Sequence, residues 1–391
     1  MNWEKVWLNE VSEVSAGQSA PKDPCFTIND GLPFIRAGHL LELTNGKDLS
    51  ELPTINEVNA KACRLKILKK GSVIFAKSGM SATLNRIYKL EEDSFYVSHL
   101  ASVTPNLNFL DSAYCSYFLF YFNPSQLIKD SAYPSIGLSD ISKIEIPLPP
   151  LPIQKQIAEI LDKTDVLRKK DLALLKHYDA LAQSLFIDMF GDPVRNEKGW
   201  NNEELKKLCL KITDGTHFSP PNHLSGRPYI TAKHVRKNLV DFYSNPTFIS
   251  EEDHLGIYSR CNPKKDDVLY IKDGATTGVA AVNNYEFEFS MLSSLALIKP
   301  NLQLINEQYL CYWLNNEYVK ENYIRNYMAG AAIRRFTLAK INKFKILAPP
   351  IALQNQFAVQ IKNIELQKEK VKAQIKASEN LFQALLQKMF R

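Results

Sequence analysis

The chain has 391 residues, 45% of them hydrophobic and 23% charged, an ordinary globular composition that excludes fibrous, collagenous and wholly disordered classes. The length predicts two to three domains. The formal net charge of +6 is uneven: residues 1–195 carry 21 Lys and Arg against 23 Asp and Glu, whereas residues 196–391 carry 27 against 19. The second half is therefore the one suited to a polyanion.

In chain order, the N-terminal MNWEKVWLNE has acidic residues where a signal peptide needs an apolar core, which predicts a cytoplasmic protein. Short β-rich runs follow at 72–76 (SVIFA) and 96–104 (YVSHLASVT), separated by Gly, Asn, Asp and Pro loops. Residues 113–122 (AYCSYFLFYF) form the longest apolar run. It is about half the length of a bilayer span, so it predicts a buried helix and no membrane partner. A proline cluster at 147–152 blocks an earlier helix start, and the next proline is Pro193. Between them apolar residues recur at three-and-four spacing: Ile153, Ile157, Ile160, Leu167, Leu174, Tyr178, Leu181 and Leu185. That spacing predicts a long amphipathic helix with a coiled-coil seam, closed by Gly191-Asp192-Pro193.

The second half repeats the first. PPLPIQKQ at 149–156 faces PPIALQNQ at 349–356, an offset of 200, and about a third of the 53 positions from 138 to 190 are identical to their partners without any insertion. Upstream the offset is 195: Pro33, Ile35, Ala37 and His39 match Pro228, Ile230, Ala232 and His234. A run at 267–271 (DVLYI) mirrors 72–76, and an aromatic stretch at 308–318 mirrors 113–122. A second stripe, Leu353, Phe357, Ile361, Ile364, Val371, Ile375, Phe382, Leu385 and Met389, predicts a second long helix. Stripes this narrow need a partner, and antiparallel pairing of the two helices lets a repeated chain close with pseudo-two-fold symmetry. The pattern predicts an α+β fold with globular domains at 1–148 and 193–348 and spacer helices at 149–192 and 349–391.

Catalytic signatures are missing. The sequence has no G-x-S-x-G, G-x-G-x-x-G, P-loop, H-E-x-x-H or D/N-P-P-Y/F motif. Its six cysteines are scattered with no C-x-x-C pair, which predicts reduced thiols in packed positions. His217 and His223 read as a solvated loop, and the clusters 91–93 and 251–253 as solvated acidic turns. The residues point to a binding protein with neither metal nor cofactor.

This arrangement resembles the specificity subunit of Type I restriction-modification enzymes. The repeat order carries the likeness over the whole length, the PP-x-x-x-Q-x-Q helices are its most specific motif, and Ile212-Thr213-Asp214-Gly215-Thr216-His217 with Leu138-Ser139-Asp140-Ile141 support it. The first domain lacks the Asp-Gly-Thr-His sequence and reads Ser15-Ala16-Gly17-Gln18. The resemblance implies two tandem target-recognition domains, separated by the paired coiled-coil-like helices, that read the halves of an interrupted, asymmetric site in double-stranded DNA. It also implies a non-catalytic subunit that docks two modification subunits and recruits restriction/translocase subunits. S-adenosylmethionine, ATP and Mg would then belong to those partners. A spacer of this length suits half-sites about one duplex turn, 34–36 Å, apart.

Sequence is read from base edges, and phosphate contacts supply salt-dependent affinity. The candidate contacts are polar or basic residues of Gly-rich loops: Arg36, His39, Lys77, Ser78, Ser81, Asn85, Arg86 and Tyr133 in the first domain. In the second they are Thr216, His217, Lys233, His234, Lys272, Thr276, Thr277, Arg334 and Arg335. The alternative to this reading is a helical scaffold whose repeated domains bind protein partners without DNA specificity.

Overall fold

The computed structural model describes residues 3–27, 30–328 and 335–391. They form two compact units, Met1–Leu174 with Val371–Arg391, and Leu175–Lys370. Each long helix contributes to both.

In the first unit a four-stranded antiparallel sheet runs in the order Ser12–Ala16, Leu100–Pro105, Val73–Ala76, Tyr88–Lys89. All four residues of Val73–Ala76 are buried, the pattern of a strand covered on both faces. A three-stranded sheet orders Thr54–Ile55, Leu32–Ile35 and Phe95–Tyr96, with the last pair parallel. Lys5–Trp7 pairs with Glu145–Pro147. The run at 96–104, continuous in sequence, is thus two strands in two sheets. The backbone turns between them, where Leu100 N donates to Val97 O and Ser98 N to Gln18 O.

The second unit repeats this topology. Its four-stranded sheet is Cys209–Asp214, Leu295–Pro300, Val268–Ile271, Ala280–Val282. Its three-stranded sheet is Phe248–Ile249, Arg227–Ile230, Ser290–Met291, again with one parallel pair. Asn201–Glu204 pairs with Lys345–Ala348, and a small hairpin joins Val235–Arg236 to Leu239–Val240.

The aromatic segment of the first unit is the helix Ser112–Phe122, capped by Asp111, whose carboxylate accepts from Ala113 N and Tyr114 N. Its counterpart is not one helix through residue 318. Glu307–Leu314 stops at Asn315, and Asn316 caps a new helix, Glu317–Met328. The buried Asn315 amide bonds both backbone groups of Ala280 and so satisfies part of a sheet edge.

Both long helices, Leu151–Phe190 and Ile351–Phe390, have 40 residues, about 60 Å each. Gly191 ends the first at φ +79°, a left-handed cap that glycine adopts without Cβ strain. Within each unit the two helices pack antiparallel. In the first unit Ile157 and Leu161 share a core with Phe382, Leu386 and Phe390, Ser378 Oγ donates to Asp171 at 3.3 Å, and Arg168 faces Glu379 at 3.6 Å. In the second, Phe186 and Phe190 pack on Phe357 and Lys368 pairs with Asp179 at 2.8 Å.

The second helix buries or half-buries every residue of the expected stripe. On the first, Ile153, Ile157, Tyr178 and Leu185 are buried or half-buried as expected, but Ile160, Leu167, Leu174 and Leu181 are 42, 56, 40 and 51% exposed. From Ile157 the seam continues through Leu161, Thr164, Arg168, Asp171 and Ala182. Its middle is polar, so counting apolar residues selects the wrong face. Polar seam positions of this kind set register and orientation.

Candidate nucleic-acid interface

Strand register aligns the two domains position by position. Ser12–Ala16 pairs with the strand ending at Pro105 as Cys209–Asp214 does with the strand ending at Pro300. Ala16 therefore corresponds to Asp214. Gln18 N donates to Tyr96 O, and Thr216 N to Met291 O, so Ser15–Gln18 is the spatial counterpart of the Asp-Gly-Thr loop despite its different sequence. The glycine is common to both because a Cβ at Gly17 would strike the carbonyls of Tyr96 and Val97, and one at Gly215 that of Met291.

In the first domain two loops carry the predicted residues. Arg36 is exposed, with its guanidinium 5.1 Å from the Phe26 ring centroid. Half-buried His39 accepts the Arg36 N–H on Nδ1 at 3.2 Å, and desolvation lowers its pKa. The second loop brings together Lys77, Ser78, Ser81 and the segment around Tyr133: Ile136 N donates to Lys77 O, Gly79 N to Pro134 O, and Ser78 bridges Ser135. Ser78 Oγ lies 2.7 Å from His99 Nδ1. Tyr133 is largely exposed, Lys77, Ser81 and Arg86 partly so. Asn85 is committed inward, donating to Phe120 O.

In the second domain the equivalent loop holds Lys272, Thr276 and Thr277, and Phe336 N donates to Lys272 O as Ile136 does to Lys77 O. Exposed Arg335 reaches Asp273 at 3.4 Å, whereas Arg334 lies outside the described residues. Thr276 is exposed, but Thr277 is buried and its hydroxyl donates to Gly274 O at 2.7 Å. Lys272 is buried against Asp214, Nζ to Oδ2 3.4 Å. Thr216 is buried in the loop's backbone pairing, while exposed His217 stands 3.6 Å from Asp214. Exposed Lys233 donates to Asn245 Oδ1 at 3.2 Å. His234 is fully buried: Nδ1 accepts the Thr231 N–H at 2.9 Å, so the Nε2–H donates to Asn245 O at 2.9 Å. Desolvation lowers its pKa and keeps it neutral. His39 and His234, matched in sequence, thus share one local job, each accepting the N–H of the residue three positions earlier.

Several structural groups escape motif reading. Gln154 and Gln354 are fully buried at the starts of the long helices. Gln154 Oε1 accepts from Asp111 N while Nε2 donates to Phe109 O and Pro149 O, each at 2.8 Å. Gln354 does the same with Asn306 N at 2.8 Å, Pro349 O at 2.8 Å and Leu304 O at 3.3 Å. Asp111 and Asn306 are the caps of the aromatic helices, so the motif glutamine ties each domain's aromatic helix to a spacer helix. Its recurrence in PP-x-x-x-Q was the visible signal. Arg260, which gathers at Asp214, had none. The cluster 251–253 is the first turn of the helix Glu251–Tyr258, capped by Ser250, where acidic residues complement the helix dipole. The thiols of Cys25 and Cys63, 38 residues apart, meet at 3.6 Å. Among the described residues no three His, Cys, Asp or Glu could hold a metal, and no helix is long and apolar enough to cross a membrane.

The fold defines a duplicated α+β protein in which each of two similar units includes part of both long helices. Residues 1–177 and 197–378 match the Type I restriction modification DNA specificity domain, and the chain belongs to that family, the non-catalytic specificity component of such systems. It is 24% identical over 389 residues to a Methanocaldococcus jannaschii chain assigned as the MjaX type I restriction enzyme specificity subunit, covering 93% of this chain and 87% of that one. Among solved structures, the S subunit of a Type I restriction-modification system from M. genitalium superposes with a TM-score of 0.62 at 15% identity, over 100% of this chain and 96% of the other. A chain from a structure concerned with complex assembly and conformational transition of the type I R-M system gives 0.54 at 20% identity, over 100% and 97%.

Proposed function

We propose that this chain reads a bipartite, interrupted and asymmetric DNA site, one half per domain, and directs adenine methylation and restriction by partner subunits. The observation that carries this reading is sameness of backbone with difference of side chain. At positions aligned by register, Ala16 corresponds to Asp214, Gln18 to Thr216, Ser78 to Asp273 and Ser135 to Arg335. One scaffold with two sets of loop side chains suits two unlike half-sites. The exposed candidates Arg36, Tyr133, His217, Lys233, Thr276 and Arg335, with partly exposed Lys77, Ser81 and Arg86, are the contacts of choice. Buried Lys272, Thr277, His234 and Thr216 shape the loops that present them.

Division into domains at 1–148 and 193–348 and spacers at 149–192 and 349–391 follows from this reading. The exposed apolar row Ile160, Leu167 and Leu174 on the first spacer is suited to docking a modification subunit, of which the complex would hold two, alongside restriction/translocase subunits. Those partners would carry S-adenosylmethionine, ATP and Mg, and the complex would work in the cytoplasm.

Methylome sequencing of cells with and without this chain, the modification subunit being present in both, tests the reading. Loss of methyladenine at one bipartite motif is expected on removal. Unchanged methylation in a host whose modification subunit is active would refute it.

A further inference from the structure

Part of the charge excess of the second half lies at the edge of its four-stranded sheet. Where the first domain pairs Glu13 with Thr104 at the edge of its four-stranded sheet, the second pairs Lys211 with Lys299. Lys299 is neutralised by Asp267 at 2.5 Å. Lys211 is exposed, and its ammonium donates to the carbonyl of Arg260 at 2.9 Å. The Arg260 guanidinium is anchored on the carbonyls of Asp214 and Gly215 and lies 3.6 Å from Asp214 Oδ1, with about half of its side chain exposed. The Asp214 carboxylate also faces the buried ammonium of Lys272 at 3.4 Å, so its single charge is already shared. On the open side of this cluster the charges of Arg260 and Lys211 are in excess, with the His217 ring 3.6 Å from the same carboxylate.

We propose that Lys211 and Arg260 form a phosphate-binding ledge that takes DNA backbone phosphodiesters whatever the base sequence. The inference rests on the DNA-reading role proposed above and adds where the non-specific affinity resides. Three features support it. Arg260 is held by backbone carbonyls, which leaves its outward N–H groups preorganised for a planar anion. Lys211 stands beside it as a second cation on the same edge. At the register positions of Lys211 and Asp214 the first domain carries Glu13, which repels phosphate, and Ala16.

The test is fluorescence anisotropy of the full chain, together with its modification subunit, on a mixed-sequence DNA duplex across 50–300 mM salt (roughly the range over which such contacts are lost). Each phosphate contact contributes about 0.9 to the slope of log K against log salt, so Lys211→Gln with Arg260→Gln should flatten the slope by about 1.8. Arg260→Lys, which keeps the charge and loses the anchoring, should leave the slope within about 0.3 of the native value on that scale. Glu13→Gln should not flatten it. An unchanged slope in the double variant, with native salt dependence intact, overturns the ledge and leaves the DNA-reading role standing. Absence of DNA binding by the native complex at any salt overturns both. Both side chains are exposed, and a melting curve for each variant separates misfolding from loss of charge.

Discussion

The buried glutamines that open the two long helices offer the sharpest test of the fold. Gln154→Ala removes three hydrogen bonds of 2.8 Å and strands Asp111 N with the carbonyls of Phe109 and Pro149. At about 1 kcal/mol net for each bond, plus part of the desolvation of stranded groups where water cannot enter, the loss should be about 3–4 kcal/mol. Gln354→Ala should lose slightly less, because its bond to Leu304 O is 3.3 Å. Gln154→Glu keeps the shape and reverses one requirement. The oxygen replacing Nε2 faces two carbonyls, so only a protonated carboxyl fits, and its folded pKa must exceed the ordinary value near 4.3. A pKa raised on folding gives stability that is present at low pH and lost as pH rises. Gln154→Glu should therefore be milder near pH 4 and approach or exceed the alanine defect near pH 7. Hydrogen exchange read by mass spectrometry locates the defect: protection should fall around 109–114 for the first glutamine and around 304–309 for the second. A loss under about 1 kcal/mol in Gln154→Ala, or a Gln154→Glu defect that does not change with pH, would refute the clamp.

Three further outcomes are expected. His39, His234 and His254 have pKa values lowered first of all by burial, so the unfolded chain takes up protons before the folded one as pH falls below about 6.5. Melting temperature should hold above pH 7.5 and decline toward pH 5.5, with a shallower decline in His234→Gln; a flat profile between these values would count against buried neutral imidazoles. Gly17→Ala and Gly215→Ala each drive a Cβ into an opposing carbonyl, and overpacking of this kind should destabilise by at least about 1–3 kcal/mol, read by urea unfolding; native stability in either variant would show that the close approach is absent. Burial pushes Cys115 and Cys311 well above the ordinary thiol range, and Cys209 and Cys261 up to about 12. Iodoacetamide should label partly exposed Cys25 first and Cys63, whose thiol donates a hydrogen bond to the Cys25 sulfur, after it; early labelling of Cys115 or Cys311 would contradict their packing.

The duplication, the α+β character, the presence of two long helices and the family were legible in the sequence. These rest on local signals: a repeat at fixed offset, a proline cluster that blocks helix starts, and a 3.6-residue period. Tertiary structure alone decided three other matters. It placed the middle of the first helix's seam on Thr164, Arg168 and Asp171 instead of Leu167 and Leu174, because an ion pair and a hydrogen bond to the second helix can make a polar line the inner one. It split residues 96–104 between two sheets and stopped the second aromatic helix at Asn315, because backbone partners far along the chain set those breaks. It also sorted the candidate loop residues, burying Lys272 and His234 while exposing Lys233 and Arg335. A residue's type states what it can bind, but only the chain packed around it determines whether water, protein or DNA is within reach.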